Sequence, residues 1–182
     1  MPSGYSATLP ADILLDSGLL LINNTTPYGV SMGDLAFDPG ITRKQVGFDG
    51  QRAPIVGLDR TVDFAPKISG SMKELSGTRA TGLYEAGSTS ALNAGVTTIT
   101  PKNAGILLVT GEYLTNVRLA FPRGSGGYAW VKFPKALCTK YDIAGKDKDE
   151  AVIKIEIEAR LDMSVAASTD VAPYLVEFAS SL

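Results

Sequence analysis

Two carboxylates that could act together, Glu156 and Glu158, are separated by one residue in a stretch where apolar and charged side chains alternate. Residues two apart in a strand lie on the same face, and glycosidases use two carboxylates on either side of the bond they cleave. Lys154 and Arg160 share that face by the same spacing. The mixed charges therefore favour a solvated or subunit-facing surface over a catalytic pair.

A second acidic group contains Asp147, Asp149 and Glu150, whose carboxylates are the ligand type that calcium prefers. The segment lacks the glycine and the distal bidentate glutamate of a calcium loop. Lys146 and Lys148 alternate with the acids and would repel a cation. We interpret this segment as a solvated turn and expect no metal site.

Residues 124–129 match the glycine spacing of a dinucleotide-binding loop. Such a loop must open a helix whose N-terminus faces the pyrophosphate, whereas an alternating strand pattern follows here, so we predict a hairpin loop. Cys138 lies in an apolar strand pattern, and the chain has no histidine to activate its thiol. We therefore expect Cys138 to be a core residue.

The composition excludes several function classes. The 182 residues carry 17 basic and 19 acidic side chains, a formal net charge of −2, with one cysteine and no histidine. These counts exclude a Ser-His-Asp triad, an imidazole metal site and an intramolecular disulfide. A near-neutral balance also argues against strong phosphate binding. We predict a protein that is not an enzyme and that needs no cofactor.

No targeting or membrane segment is expected. The first cationic side chain is Arg43, so the basic region of a secretory signal is missing. The apolar run at Leu19–Ile22 is four residues long, whereas a spanning helix needs about 20. We expect assembly in a reducing cytoplasm and no membrane partner.

Alternation with period two predicts the clearest strands. Isoleucines and charged residues alternate over residues 153–161, and residues 117–121 and 129–133 alternate in the same way. The glycine-rich residues 122–127 between the last two predict a hairpin loop. A further β-rich stretch covers residues 137–143.

A hairpin is predicted around Asp49-Gly50, because Asp-Gly is a favoured type I′ turn. Its arms are residues 40–48 and 53–56. Pro54 lies in the return arm and cannot donate to a ladder, so that arm is an edge or projects from the body.

The remaining pattern predicts about ten strands in one domain. Further strands are expected at residues 19–22, around Val62, Phe64, Ile68 and Met72, and at residues 96–100 and 106–109. One weak helix is predicted at residues 76–85, and residues 86–95 have loop composition. This spacing suggests an antiparallel β-sandwich or barrel.

The last observation concerns short segments and their order along the chain. They are Pro27-Tyr28-Gly29-Val30, Gly33-Asp34-Leu35, Phe48-Asp49-Gly50, Pro54-Ile55-Val56-Gly57-Leu58, Lys67-Ile68-Ser69-Gly70-Ser71-Met72, Tyr113-Leu114-Thr115-Asn116-Val117-Arg118-Leu119, Leu137-Cys138-Thr139-Lys140-Tyr141-Asp142 and the strand at 155–161. In their order and spacing, from near Leu14 to Phe178, they resemble the tail tube (major tail) proteins of tailed bacteriophages.

This resemblance implies a mainly β domain over residues 1–182: an antiparallel β-sandwich or half-barrel with one short flanking helix and a long hairpin arm. In that family, subunits form hexameric rings whose inner sheets join into one β-barrel. The rings stack into a tube that conducts DNA into the host. The implied location is the virion tail.

The implied partners are further copies of the chain, other tail proteins such as the tape measure, terminator and baseplate or tip proteins, and DNA that passes without specific binding. A related secretion-system tube ring would share these features.

The resemblance also implies contacts between subunits. The N-terminal segment, residues 1–16, and the hairpin arm, residues 40–60, would reach neighbouring subunits or rings. The arm residues named by this match are Phe48, Asp49, Gly50, Gln51 and Arg52. A DNA conduit should repel phosphates, so we expect acidic side chains to outnumber basic ones on the lumen surface, with Glu156 and Glu158 as candidates.

Two alternatives belong to other classes. A carbohydrate- or receptor-binding β-sandwich module would use Tyr128 and Trp130 as a stacking platform, and it predicts a monomer. A small hydrolase would use aspartate and glutamate without histidine, and it predicts a pocket that holds a carboxylate with a raised pKa.

Overall fold

A computed structural model describes residues 14, 18–23, 26–28, 31, 33–47, 49, 53–73, 88–93, 96–100, 107–124, 126–145, 151–162 and 172–180. These residues form strands and turns, with one 3-10 turn at Thr110–Glu112 and no α-helix among them. The strands are Leu19–Ile22 (β1), Thr26–Pro27 (β2), Ala36–Asp38 (β3), Ile41–Gln45 (β4), Asp59–Phe64 (β5), Lys67–Met72 (β6), Ser88–Asn93 (β7), Val96–Thr100 (β8), Leu114–Pro122 (β9), Tyr128–Ala144 (β10), Val152–Ala159 (β11) and Leu175–Ala179 (β12). The predicted mainly β class is confirmed, and the helix predicted at residues 76–85 lies outside the described part.

One curled, half-barrel sheet contains eight of these strands, all paired antiparallel. Its order is β2-β1-β9-β10-β11-β6-β3, and β12 also pairs with β10. The central strand β10 is 17 residues long. Its first half lies between β9 and β12, and its second half pairs with β11. A second sheet that would complete a sandwich is not seen among the described strands.

The core lies on one face of this sheet because apolar residues alternate along its strands. Ile153, Ile155 and Ile157 of β11 are buried, and the charged residues between them lie on the other face. Their neighbours on β6, Ile68 and Met72, are also buried. The alternation predicted for residues 153–161 is thus confirmed over β11.

A smaller apolar cluster covers part of the opposite face. It contains Leu21 of β1, Ala120 of β9 and Trp130 of β10, with Leu19 and Tyr128 packed against it. This end of the sheet therefore has buried apolar residues on both faces.

The strands β4 and β5 continue the pairing of β3 with β6 beyond the edge of the sheet. Ala36 pairs with Ser69 and Ile41 pairs with Phe64, so the register is the same on both sides of the interruption at residues 39–40. Beyond this point, a β-bulge between Thr42 and Arg43 shifts the register by one residue, so that Arg43 pairs with Thr61. We call residues 41–64, from β4 to β5, the ribbon.

The ribbon corrects the predicted hairpin in one respect. Residues 53–56 do not form the return strand; β5 at Asp59–Phe64 does. The amide of Val46 donates to the carbonyl oxygen of Leu58 at 2.9 Å, and the chain turns near Gly57, whose φ is 91°. The Asp-Gly signal placed the turn too early in the chain. No alternation of apolar and polar residues could correct it, because neither strand of the ribbon has a buried face.

Two other local predictions are wrong. Residues 88–93, expected to be loop, form β7 and pair with β8. Residues 107–109 of the strand predicted at 106–109 are not in a strand, and the 3-10 turn follows them. The small polar residues of this segment show no alternation of apolar and polar side chains, so the composition indicated a loop. The strand β7 forms because it pairs with β8.

Across the residues that the structure describes, no helix has the length and apolar character needed to cross a membrane.

Candidate functional site

The ribbon is exposed to solvent along most of its two strands. Every residue of β5 is exposed, and so are the three central residues of β4. The ribbon nevertheless carries large apolar side chains on its surface: Val46, Ile55, Val56, Val62 and Phe64. Val56, at the turn, is 99% exposed. A two-stranded hairpin is marginally stable in water when nothing packs against it.

Basic side chains of the two ribbon strands lack partners among the described residues. Lys44 lies directly opposite Arg60 in the ladder, and like charges in such a pair destabilise a sheet. Arg43, Lys44 and Arg60 form no ion pair with any described residue. Of the predicted arm residues, Asp49 is an exposed turn residue, while Phe48, Gly50, Gln51 and Arg52 lie outside the described part.

The root of the ribbon is held tightly, in contrast to its outer part. Leu35 is buried against Gly70, where a β-carbon would come within 2.7 Å of the leucine side chain. Phe37 packs between the rings of Phe133 and Tyr174, with centroids at 6.1 and 5.2 Å. The ribbon therefore begins from a fixed point on the edge of the sheet.

A carboxylate completes this root. Asp34 accepts hydrogen bonds from the amide and the hydroxyl of Ser71, at 2.7 and 2.6 Å. Partial burial raises the pKa of Asp34, but these hydrogen bonds and the charge of Lys154 outweigh it, so the pKa lies below its usual 3.8. The group is a charged anchor of the β3–β6 pairing.

The predicted acidic pair lies on the face of β11 opposite the core. Glu158 contacts Arg160 at 2.8 Å, and Glu156 contacts Lys67 of β6 at 3.8 Å. Each acid therefore has a cation beside it, and the surface is locally balanced in charge. A pair of carboxylates set for glycoside chemistry would need a substrate between them, whereas these two face their own bases.

The platform of the carbohydrate alternative is not available in this structure. Trp130 is 8% exposed, its indole N–H donates to Glu177 at 2.6 Å, and the guanidinium of Arg118 lies 4.5 Å from its ring centre. Both polar and aromatic surfaces of the indole are thus occupied within the subunit. Tyr128 packs against the same cluster.

Two further sequence interpretations can be compared with the structure. Cys138 is buried and donates weakly to the carbonyl oxygen of Lys140 at 3.2 Å, as expected of a core thiol. The glycine-rich segment before Tyr128 leads into β10 and not into a helix, as predicted. Residues 147–150 lie outside the described part, and the described residues contain no cluster of potential metal ligands.

One exposed surface was not found from the sequence. The last strand, β12, pairs with β10 on one side, and no described strand pairs with its outer edge. Its residues Leu175, Val176 and Phe178 are all exposed, and Arg123 lies 5.4 Å from the ring centre of Phe178. The run Leu175-Val176-Glu177-Phe178 is rich in strand-forming residues, which is the signal that could have identified it.

No model of a known protein family matches the sequence, and no curated protein matches it at a significant level.

Proposed function

We propose that this chain is a structural subunit that assembles with copies of itself into the tube of a bacteriophage tail. The single observation that carries the proposal is the ribbon. It is ordered into a ladder, exposed over both strands, apolar at several positions and anchored at its root. Such a ladder gains stability when another subunit covers it.

The half-barrel sheet supports the same proposal. Its edge strands offer unpaired backbone groups, which promote aggregation unless they are covered or closed into a barrel. In the proposed assembly, six subunits join their sheets around one axis, and the rings stack into a tube within the virion tail. The tube contacts other tail proteins at its ends and the tape measure within.

The proposal also includes a role for the tube as a conduit for DNA. Glu156 and Glu158 remain candidates for the lumen surface, since they lie on the face of β11 away from the core. Their ion pairs with Lys67 and Arg160 balance these two acids locally, so the expected acidic excess must come from further side chains on the lumen surface. A structure of the assembled tube in which basic side chains dominate the lumen would contradict this part.

A shortened ribbon tests the proposal directly. Residues 43–62 are replaced by Asn-Gly, which closes the Thr42–Asp63 pair with a type I′ turn. We expect the variant to fold as the native chain does, by circular dichroism, but to remain monomeric. The native chain should form rings or tubes in negative-stain micrographs and in light scattering.

The matched control is Leu107→Asp, which changes an exposed apolar residue outside the ribbon and keeps both ribbon strands, so it should still form tubes. Normal tubes from the shortened variant would refute a role for the ribbon. A native chain that stays monomeric at every concentration would refute the assembly itself.

A further inference from the structure

Most of the exposed large apolar side chains in the described chain fall into two groups: those of the ribbon and those of β12. We propose that the ribbon of one copy docks along the outer edge of β12 in the next copy. The inference rests on the proposed self-assembly and names the surface that receives the ribbon.

The apolar character of the inner sheet face continues out to this edge. Leu119 of β9, Val131 of β10 and Val176 of β12 are direct neighbours across the ladders. Burial falls along this row, since Leu119 is fully buried and Val176 is 55% exposed. In the next row, Phe178 is 69% exposed beside the buried Ala129. Among the described residues, none covers the core face where it ends at β12, and burial of apolar surface favours a partner that covers it.

The backbones of the two surfaces match in length. β12 has five residues, and β4 and β5 have five and six. The outer edges of β4, β5 and β12 are unpaired in the described structure. A strand that adds to an exposed edge gains main-chain hydrogen bonds, while side chains on its two faces give specificity.

Two acids of β5 are opposite in sign to cations beside β12, and Arg60 lies between these acids in the sequence. Asp59 and Asp63 of β5 make no ion pair with a described residue, and the same is true of Lys132, which lies beside Leu175. Arg123 lies over Phe178, near the other end of β12.

The two acids, and the two residues of β12 that lie beside the cations, differ in spacing by one residue, but each pair is divided between opposite faces. Residues 59 and 63 are four apart and residues 175 and 178 are three apart, which correspond to about 13 and 10 Å along a strand. The bulge places Asp59 and Asp63 on opposite faces of the ribbon. Leu175 and Phe178 are likewise on opposite faces of β12, because an odd number of steps separates them.

The acid on β12 does not oppose this docking. Glu177 accepts the hydrogen bond from the indole of Trp130 and is directed toward its own subunit. The contact joins two different surfaces, so it is head-to-tail and propagates from copy to copy, as a ring requires.

A mixing experiment tests the contact. Phe178→Asp removes the receiving surface and keeps a partner for Arg123, and Val62→Asp alters the ribbon at an exposed position. We expect each variant alone to be monomeric in size-exclusion chromatography with light scattering. Mixed in equal amounts, they should form dimers and nothing larger, because each supplies one intact surface.

Leu107→Asp is the matched control, since Leu107 is exposed and lies outside both surfaces; it should assemble as the native chain does. Circular dichroism verifies that all variants are folded. If Phe178→Asp does not fold, Leu175→Asp replaces it as the β12 variant. Native-like assembly of the folded β12 variant would overturn the docking while leaving the proposed function intact. Monomers in the mixture would also overturn it, whereas a native chain that never assembles would overturn both.

Discussion

Both carboxylate oxygens of Asp34 are bonded to Ser71, one to its amide and one to its hydroxyl. Asp34 lies two residues before Ala36, and Ser71 lies two residues after Ser69, so the contact continues the register of the Ala36–Ser69 pair. The side chain thereby takes the place of a main-chain hydrogen bond at the point where the ribbon is rooted.

Replacing this carboxylate should loosen the root. Asp34→Ala leaves the amide and hydroxyl of the buried Ser71 without their acceptor, at a cost of about 1–3 kcal/mol in the free energy of unfolding. Urea denaturation measures the loss. Asp142→Ala is the control, because it removes an exposed ion pair with Lys140 and should cost about 0–1 kcal/mol. Equal midpoints for the two variants would contradict the prediction.

The same carboxylate should make stability depend on acidity. The folded pKa of Asp34 is below the ordinary 3.8, so its contribution is present above that pH and is lost as the pH falls through the folded pKa. The difference in unfolding free energy between the native chain and Asp34→Asn should therefore shrink below pH 3.8. Denaturation curves at neutral pH and near pH 2.5 give this difference. A difference in unfolding free energy that grows at low pH would contradict a lowered pKa for Asp34.

The contact between Trp130 and Glu177 should be visible by fluorescence, because the chain has a single tryptophan. Glu177→Ala leaves the buried indole N–H without an acceptor and should destabilise the fold by about 1–3 kcal/mol. The emission of Trp130 should shift as its surroundings change. Glu158→Ala, which removes an exposed partner of Arg160, should leave the spectrum unchanged. Identical spectra for all three proteins would refute this role of Glu177.

Gly40 should be the most sensitive glycine of the ribbon root. Its φ is +53°, and a β-carbon there would overlap the carbonyl group of Ala65. Gly126 also has positive φ, yet no atom lies within 4 Å of its β-carbon position. Gly40→Ala should therefore lower the melting temperature more than Gly126→Ala, which bears the backbone cost of about 1 kcal/mol alone. The reverse order would mean that the ribbon root adapts freely.

Strands with one buried face were predictable from the sequence. Ile153, Ile155 and Ile157 alternate with charged residues, and burial of one face dictates that pattern. The loop between β9 and β10 was also predictable, since its glycines include two with positive φ, Gly126 and Gly127. In β11 and in this loop, the local sequence pattern and the tertiary structure favour the same backbone conformation.

Strands whose stability comes from elsewhere were not predictable. In the ribbon both faces are exposed, so nothing fixes a period, and the Asp-Gly signal at Asp49 led to a return strand placed too early. β12 was missed although its residues are strand formers, because its apolar side chains lie on both faces. The ribbon and β12 are thus the exposed parts that the core of the chain does not encode.

The position of β10 has a mechanical consequence. A pull along the ribbon enters the sheet at β3 and β6 and crosses β11 and the long β10 to reach β12. Ladder hydrogen bonds are perpendicular to antiparallel strands, so a load along the strands shears many of them at once instead of opening them one by one. A sheet built in this way resists tension between the ribbon and β12 through many hydrogen bonds at once.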